Sequence, residues 1–279
     1  MGHLQGQLAG RDPRDVQQVV DEAHDVTELP IEDAECLLAH RRRNGLPAQQ
    51  RTDSMTAIAI AHRGEPLEHR ENTLPAFAAA VALGADWVEI DLRRTRDGAI
   101  VVLHDQTLER LWGRAVSVGE VDVAEVQALG EPGGGIPTLA EVLNAVPVPL
   151  MVDFTRREVV AGGLEAVQAA GALSRCLFVT GNVEALRQLR AASAEARLGL
   201  TWLDGPDPPL DLLRELGAEY WNPWFGLLSP AGVAAVHDAG RLVSTWTVDT
   251  SEDMAAVGAL GVDAIVSNRI ADLPAHLGR

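Results

Sequence analysis

Lysine is missing altogether: all 23 basic residues are arginine. That absence excludes Schiff-base catalysis, and with it the lysine aldolases and pyridoxal-phosphate enzymes. It also excludes phosphate-loop NTPases, whose motif needs a lysine to reach the phosphates. Positive charge of any kind is scarce, since 40 acidic residues leave a formal net charge of −17. A phosphate backbone demands a basic footprint, so no nucleic-acid partner is expected. Anionic lipid surfaces gain no long-range attraction either. An anionic substrate would need local positive charge to overcome this field, and a bound metal is the obvious source.

Cysteine is nearly as rare. Cys36 and Cys176 lie far apart, and neither has a partner at metal-ligand spacing, so a reducing compartment is the default. Long apolar runs are absent too. No stretch approaches a transmembrane span and the N-terminus has no apolar signal core, which points to a cytoplasmic protein without a stable membrane anchor. What the sequence does hold is aliphatic core material. Apolar residues make up 47% of the 279 positions, enough for one large α/β domain or two ordinary ones.

Residues 1–54 differ from the rest of the chain. They are polar and mixed in charge, with an Arg41-Arg42-Arg43 run before Asn44-Gly45, and helices are expected near Asp15–Ala23 and Ile31–Arg42. At Met55 a buried-strand pattern begins, so residues 1–54 are expected to be an extension and 55–279 the main domain. From there short apolar strands alternate with helical patterns. Strands are expected near Ala57–Ala61, Trp87–Leu92, Leu150–Phe154, Leu177–Thr180, Leu198–Trp202, Tyr220–Asn222, Leu242–Thr247 and Ala264–Val266. Helices are expected at Leu74–Leu83, Leu139–Ala145 and Val183–Ala192, among others. Eight such strands match a TIM-type (β/α)8 barrel, whose usual size is roughly 250 residues.

One segment breaks the alternation. Ile100–Leu103 is strand-like, yet only Arg93–Ala99 separates it from the second strand, and a parallel crossover needs about a dozen residues. It should pair as a β-hairpin through Asp97-Gly98. The hairpin would sit in the second βα loop, on the face where barrel active sites lie, and would carry His104 there.

Chemistry-bearing residues gather in this first half. His62-Arg63-Gly64 follows the first strand, and Glu71-Asn72-Thr73 opens the first helix. Glu89 and Asp91 lie two apart on the second strand, so both face one side, and His104-Asp105 ends the hairpin. Two carboxylates on an apolar strand are harmless at a solvated edge, but a closed barrel has no edge. Burying them unpaired is expensive, and a hard divalent cation would resolve that cost. A lone histidine is more often structural than catalytic; two of them, each after a strand and near a carboxylate pair, suit an acid–base couple. Arg63 adds a planar donor fitted to a phosphate oxygen. Together these suggest phosphoryl chemistry.

These motifs, in this order, closely resemble the glycerophosphodiester phosphodiesterase family. The resemblance runs through Thr95-Arg-Asp97-Gly98, Val101-Val102-Leu103-His104-Asp105, Ile136-Pro137-Thr138-Leu139, Trp246-Thr247-Val248-Asp249 and Gly261-Val262-Asp263-Ala264. It covers nearly everything from Met55 onward, in the bacterial form without a larger inserted subdomain. It implies hydrolysis of a small-molecule phosphodiester to glycerol 3-phosphate and an alcohol. It further implies that His62 and His104 are the acid–base pair and that Glu89 and Asp91 bind Ca²⁺ or Mg²⁺. Arg63, Glu71 and Asn72 match positions that shape the phosphate site.

The chain also departs from the family. A third carboxylate, usually Glu with Lys two residues on, is replaced by Asp153 and Thr155. Asp153 still reaches a metal, whereas Thr155 supplies no charge, and Arg156 or Arg157 is the alternative source. The last strand ends Ser267-Asn268-Arg269 where the family more often has Thr-Asp and a proline. Trp246, at a strand end, is expected to line the glycerol site. Trp202, Trp221 and Trp224 are candidates for an apolar rim or for core packing. His237, within a helix pattern before the seventh strand, is expected to be structural. Two other functions compete: a lysophospholipase D-like or cyclising phosphodiesterase, and a non-catalytic phosphodiester-binding barrel. Oligomeric state leaves no trace in the sequence.

Overall fold

The structure is a computed structural model that describes residues 57–130, 134–154 and 156–279. The two helices expected before residue 54, the boundary at Met55, Cys36 and Thr155 lie outside the described residues.

The sheet starts with β1 (Ile58–Ala61) and β2 (Trp87–Arg94). An insertion comes next, holding β3 (Ile100–Val102), β4 (Thr107–Leu108) and β5 (Arg114–Ser117). Then come β6 (Leu150–Asp153), β7 (Cys176–Thr180), β8 (Arg197–Trp202), β9 (Tyr220–Pro223), β10 (Leu242–Thr245) and β11 (Ala264–Ser267). β1 pairs in parallel with both β2 and β11, which closes a ring of eight parallel strands with helices between them. This is the expected TIM barrel.

The hairpin forms as its short connection requires. β3 runs antiparallel to β2, with Arg93 opposite Val101 and Arg94 opposite Ile100, and Gly98 supplies the turn at φ 90°. Pairing with β3 carries β2 beyond the expected Leu92 to Arg94. The seventh barrel strand, in contrast, stops at Thr245 rather than Thr247.

Strand alternation sorts the core into two layers. Val88, Ile90 and Leu92 face outward and join the main cluster beneath the helices, with Phe154 stacked on Phe178 at 5.3 Å. Trp87 faces inward with Ile60, Met151, Leu177 and Val179, and meets Tyr220 edge-on at 6.3 Å. Each fully buried large aliphatic or aromatic side chain contributes about 1.5–3 kcal/mol, so a few such residues outweigh the cost of one buried polar group. The first helix, α1 (Leu74–Ala82), is Ala-rich, has Pro75 in its first turn and is capped by the Thr73 hydroxyl, which accepts from the Ala76 N–H at 3.4 Å. Both features favour a helix start at that point.

A third, smaller cluster lies under the insertion. Val101, Leu103, Leu108, Val118, Val121, Val126 and Ile136 pack together there, so the hairpin and the β4–β5 ribbon stand on a core of their own. Trp221 is wholly buried in the main core and takes no part in a rim. Trp202 packs partly buried against that core, and Trp224 meets Phe225 edge-on at 5.4 Å. Among the described residues no helix is long and apolar enough to cross a membrane.

Candidate active site

The carboxylates come together through sheet register. Asp91 on β2 lies directly opposite Asp153 on β6, and Glu89 sits one pleat below Asp91 on the same face. Oxygens of Glu89, Asp91 and Asp153 fall within 4.8 Å of one another. Glu89 and Asp91 are 5% and 3% exposed. Burial pushes the Glu89 carboxyl well above its usual range, and the charges of Asp91 and then Asp153 add to the shift. Burial also opposes ionisation of Asp91, but the Arg63 guanidinium, the His104 and His62 imidazoles and the Asn72 amide outweigh it and hold that carboxyl low. One carboxylate is thus kept charged at the expense of its neighbour. Three oxygen donors with surplus negative charge in a dry site fit a hard divalent cation.

The turn after β1 wraps this cluster. The His62 N–H donates to the Ser267 carbonyl at 2.9 Å, continuing the ladder of β1 with β11. Arg63 then adopts φ 58° and Gly64 φ 90°. The reversal aims the Arg63 backbone N–H at Glu89 Oε2, 3.0 Å away. Its side chain donates to Glu71 Oε1 at 3.0 Å and brings Nε within 3.3 Å of Asp91 Oδ2. Asn72, also left-handed at φ 56°, donates through Nδ2 to Asp91 Oδ2 at 2.8 Å. Its backbone N–H returns to the Arg63 carbonyl at 2.9 Å. Two non-glycine residues in this region cost roughly 1–3 kcal/mol each, and such strain concentrates at functional sites. Burial works against the Arg63 cation, yet Asp91, Glu71 and Glu89 together raise its pKa.

The hairpin delivers the second histidine. The Leu103 N–H donates to the Asp91 carbonyl at 2.9 Å, and the buried Arg93 guanidinium grips the His104 carbonyl, with Nε at 2.7 Å. The backbone under His104 is therefore pinned from β2. Its Nδ1 lies 2.9 Å from Asp105 Oδ1. Arg110, on the short helix α2 (Glu109–Trp112), donates to Asp105 Oδ2 at 2.7 Å and to Glu71 Oε1 at 2.7 Å. Burial raises Asp105, but the bonds from His104 and Arg110 win and hold its carboxyl far below the ordinary range.

Behind His62 stands a different partner. Its Nδ1 lies 2.8 Å from Asn268 Oδ1, and Asn268 is tied in turn to Asp249. Trp246 lies just past β10, packed on the interior cluster, with its indole N–H donating to the Asn222 carbonyl at 3.0 Å. Arg156 and Arg157 are exposed, and Arg156 donates to Gln106 Oε1 at 3.1 Å. His237 lies elsewhere, its Nε2 2.7 Å from Asp263 Oδ2.

The structure thus brings His62, Arg63, Glu71, Asn72, Glu89, Asp91, Asp153 and His104 to one end of the barrel. Sequence reasoning missed Arg93, Arg110, Asp249 and Asn268 as parts of this network. Arg93 carried a usable signal, because it continues the period-two series Glu89, Asp91, Arg93 on β2. Arg110 carried none: nothing in its spacing shows that it folds back over Glu71.

A closed barrel whose strand ends gather carboxylates, two imidazoles and a buried guanidinium defines an enzyme of the TIM-barrel class. The model of the glycerophosphoryl diester phosphodiesterase family matches residues 62–272, and the chain belongs to that family. A glycerophosphodiester phosphodiesterase of Caldanaerobacter subterraneus is 29% identical over 230 residues, covering 77% of this chain and 95% of that one. A human lysophospholipase D is 34% identical over 121 residues, 38% of each chain. A phosphodiesterase of Oleispira antarctica, solved in complex with its product sn-glycerol-3-phosphate, shares the fold at a TM-score of 0.73 and 23% identity, covering 80% of this chain and 98% of that one.

Proposed function

We propose that the chain hydrolyses glycerophosphodiesters to glycerol 3-phosphate and an alcohol, with a divalent cation held by Glu89, Asp91 and Asp153. The observation that carries this reading is the convergence of those three carboxylates beside Arg63, with both imidazoles close enough to bear on Asp91. Ca²⁺ or Mg²⁺ suits an all-oxygen donor set, and when bound it would offset the charge developing on the phosphoryl oxygens.

The chain's own residues do the rest. Arg63, locked between Glu71 and Asp91, keeps a fixed cation at the place where an anionic phosphodiester must lose its water. Asn72 holds Asp91 in orientation, so the site is organised before substrate arrives. Hydrolysis needs one proton removed from the attacking oxygen and one delivered to the departing alcohol. His62 and His104 take these two tasks, each worth roughly 10²–10⁴-fold in rate. Trp246 offers an apolar wall for the glycerol carbons. The human relative's name keeps a second reading open, release of the headgroup of a lysophospholipid.

The test incubates the full chain with a panel of glycerophosphodiesters and a lysophospholipid, with Ca²⁺ or Mg²⁺ in turn, and identifies the products. Glycerol 3-phosphate released only with a cation is the expected result. Lysophosphatidic acid or a cyclic phosphate as the main product would move the chain to the second reading. Full turnover after exhaustive chelation would remove the cation from the mechanism.

A further inference from the structure

The proton on His62 has its place fixed by two residues that lie on other strands' ends. Asp249 follows β10 and Asn268 follows β11. Asp249 Oδ1 accepts the Asn268 backbone N–H at 2.8 Å and the Ser267 hydroxyl at 3.1 Å, while its Oδ2 accepts Asn268 Nδ2–H at 2.8 Å. A carboxylate of this kind only accepts, so the Asn268 atom facing it is the amide nitrogen. The amide orientation, usually a matter of inference, is therefore set by chemistry. Its other end, Oδ1, faces His62 Nδ1 at 2.8 Å. An amide oxygen cannot donate. Nδ1 accordingly carries the hydrogen whether the ring is neutral or protonated, and Nε2, 3.9 Å from Glu89 Oε2, is the ring atom left to exchange a proton.

We propose that Asp249 and Asn268 are positioning residues that hold His62 as the Nδ1–H tautomer, with Nε2 presented to the phosphodiester. The kinetic consequence rests on the reading of His62 as an acid–base group; the tautomer does not. His104 is backed differently, by the carboxylate of Asp105 at 2.9 Å. The two imidazoles thus have unlike supports, one a neutral amide and one an anion.

The arrangement also explains why Asn, and not Asp, suits position 268 in this chain. A second carboxylate there would face Asp249 across a 2.8 Å contact and repel it. Asn268→Asp should therefore break the relay. Exchanging both residues, Asp249→Asn with Asn268→Asp, would restore one donor facing one acceptor and leave an acceptor behind His62.

The experiment uses full-length protein labelled with ¹⁵N-histidine, read by long-range ¹H–¹⁵N correlation, with His62 assigned from the signals lost in His62→Gln. Wild type should show a protonated Nδ1 and a pyridine-like Nε2 at the pH where the ring is neutral. Asn268→Leu removes the acceptor. It should shift the ring toward a mixture of tautomers and lower kcat on the order of 10–100-fold, by analogy with the loss of the outer partner of a metal-bound histidine, with KM little changed. Asn268→Asp should lower kcat comparably, and the exchanged pair should recover most of it. A protonated Nε2 in neutral wild-type His62 would overturn the proposal, as would Asn268→Leu keeping both tautomer and kcat. An exchanged pair no better than Asn268→Asp would overturn it as well. His62→Gln separately decides the acid–base reading: if it keeps wild-type kcat, that reading fails, while the tautomer signal still judges the relay.

Discussion

Arg110 and Glu71, thirty-nine positions apart, are joined by two N–H···O bonds of 2.7 and 3.2 Å. The same guanidinium holds both oxygens of Asp105 at 2.7 and 2.9 Å. One side chain on the insertion thereby couples the Arg63 support to the His104 support.

Arg110→Ala should therefore loosen both halves of the site at once. A charge-assisted hydrogen bond is worth about 1.5–3 kcal/mol net, but Arg110 is one-third exposed, which discounts its share of stability. The expected loss is about 1–2 kcal/mol by denaturant unfolding, with a larger effect on kcat than on KM. Arg110→Lys should recover little, because an ammonium cannot fork across two carboxylates. Unchanged kcat in Arg110→Ala would show that Glu71 and Asp105 hold their places without it.

Cation-free stability should depend on pH through Glu89. Burial, then Asp91 and Asp153, raise its folded-state pKa well above the unfolded value of about 4.3. Between those two values the folded state binds more protons than the unfolded one, so this contribution to stability falls as pH rises. Urea unfolding in chelator at pH 5 and pH 8 should show a loss at the higher pH that Glu89→Gln flattens. Added Ca²⁺ or Mg²⁺ should oppose the loss, since it binds the deprotonated form. Equal pH slopes for wild type and Glu89→Gln would contradict the assignment.

Gly64→Ala should be costly for two independent reasons. The position has φ 90°, and an added Cβ would fall 2.7 Å from the Ala76 carbonyl carbon of α1. Left-handed strain and overpacking cost roughly 1–3 kcal/mol each. Because the same turn aims Arg63 at Glu89, turnover should drop with stability. A melting temperature within a degree of wild type would mean that α1 yields freely.

His237→Ala serves as the contrast. His237 Nε2 and the Val243 N–H both meet Asp263 Oδ2, at 2.7 and 2.8 Å, so the residue braces the start of β10. Its loss should cost about 1 kcal/mol of stability and leave kcat and KM as they were. A tenfold fall in kcat would place His237 in the chemistry.

Local pattern in the sequence was enough for much of this molecule. Short, continuously apolar strands alternating with helical stretches determined the barrel, because each strand must bury one face inward and one beneath helices. The seven-residue gap of Arg93–Ala99 determined the hairpin, because no parallel crossover is that short. Glu89 and Asp91 declared themselves by sharing a face of β2. Only the tertiary structure decided which distant residues complete the site. Arg110 meets Glu71 because the insertion folds back, and Asn268 meets His62 because the last strand closes beside the first. The reason is physical: side-chain periodicity acts over a few residues, whereas these contacts depend on how a closed ring brings its strand ends to one rim.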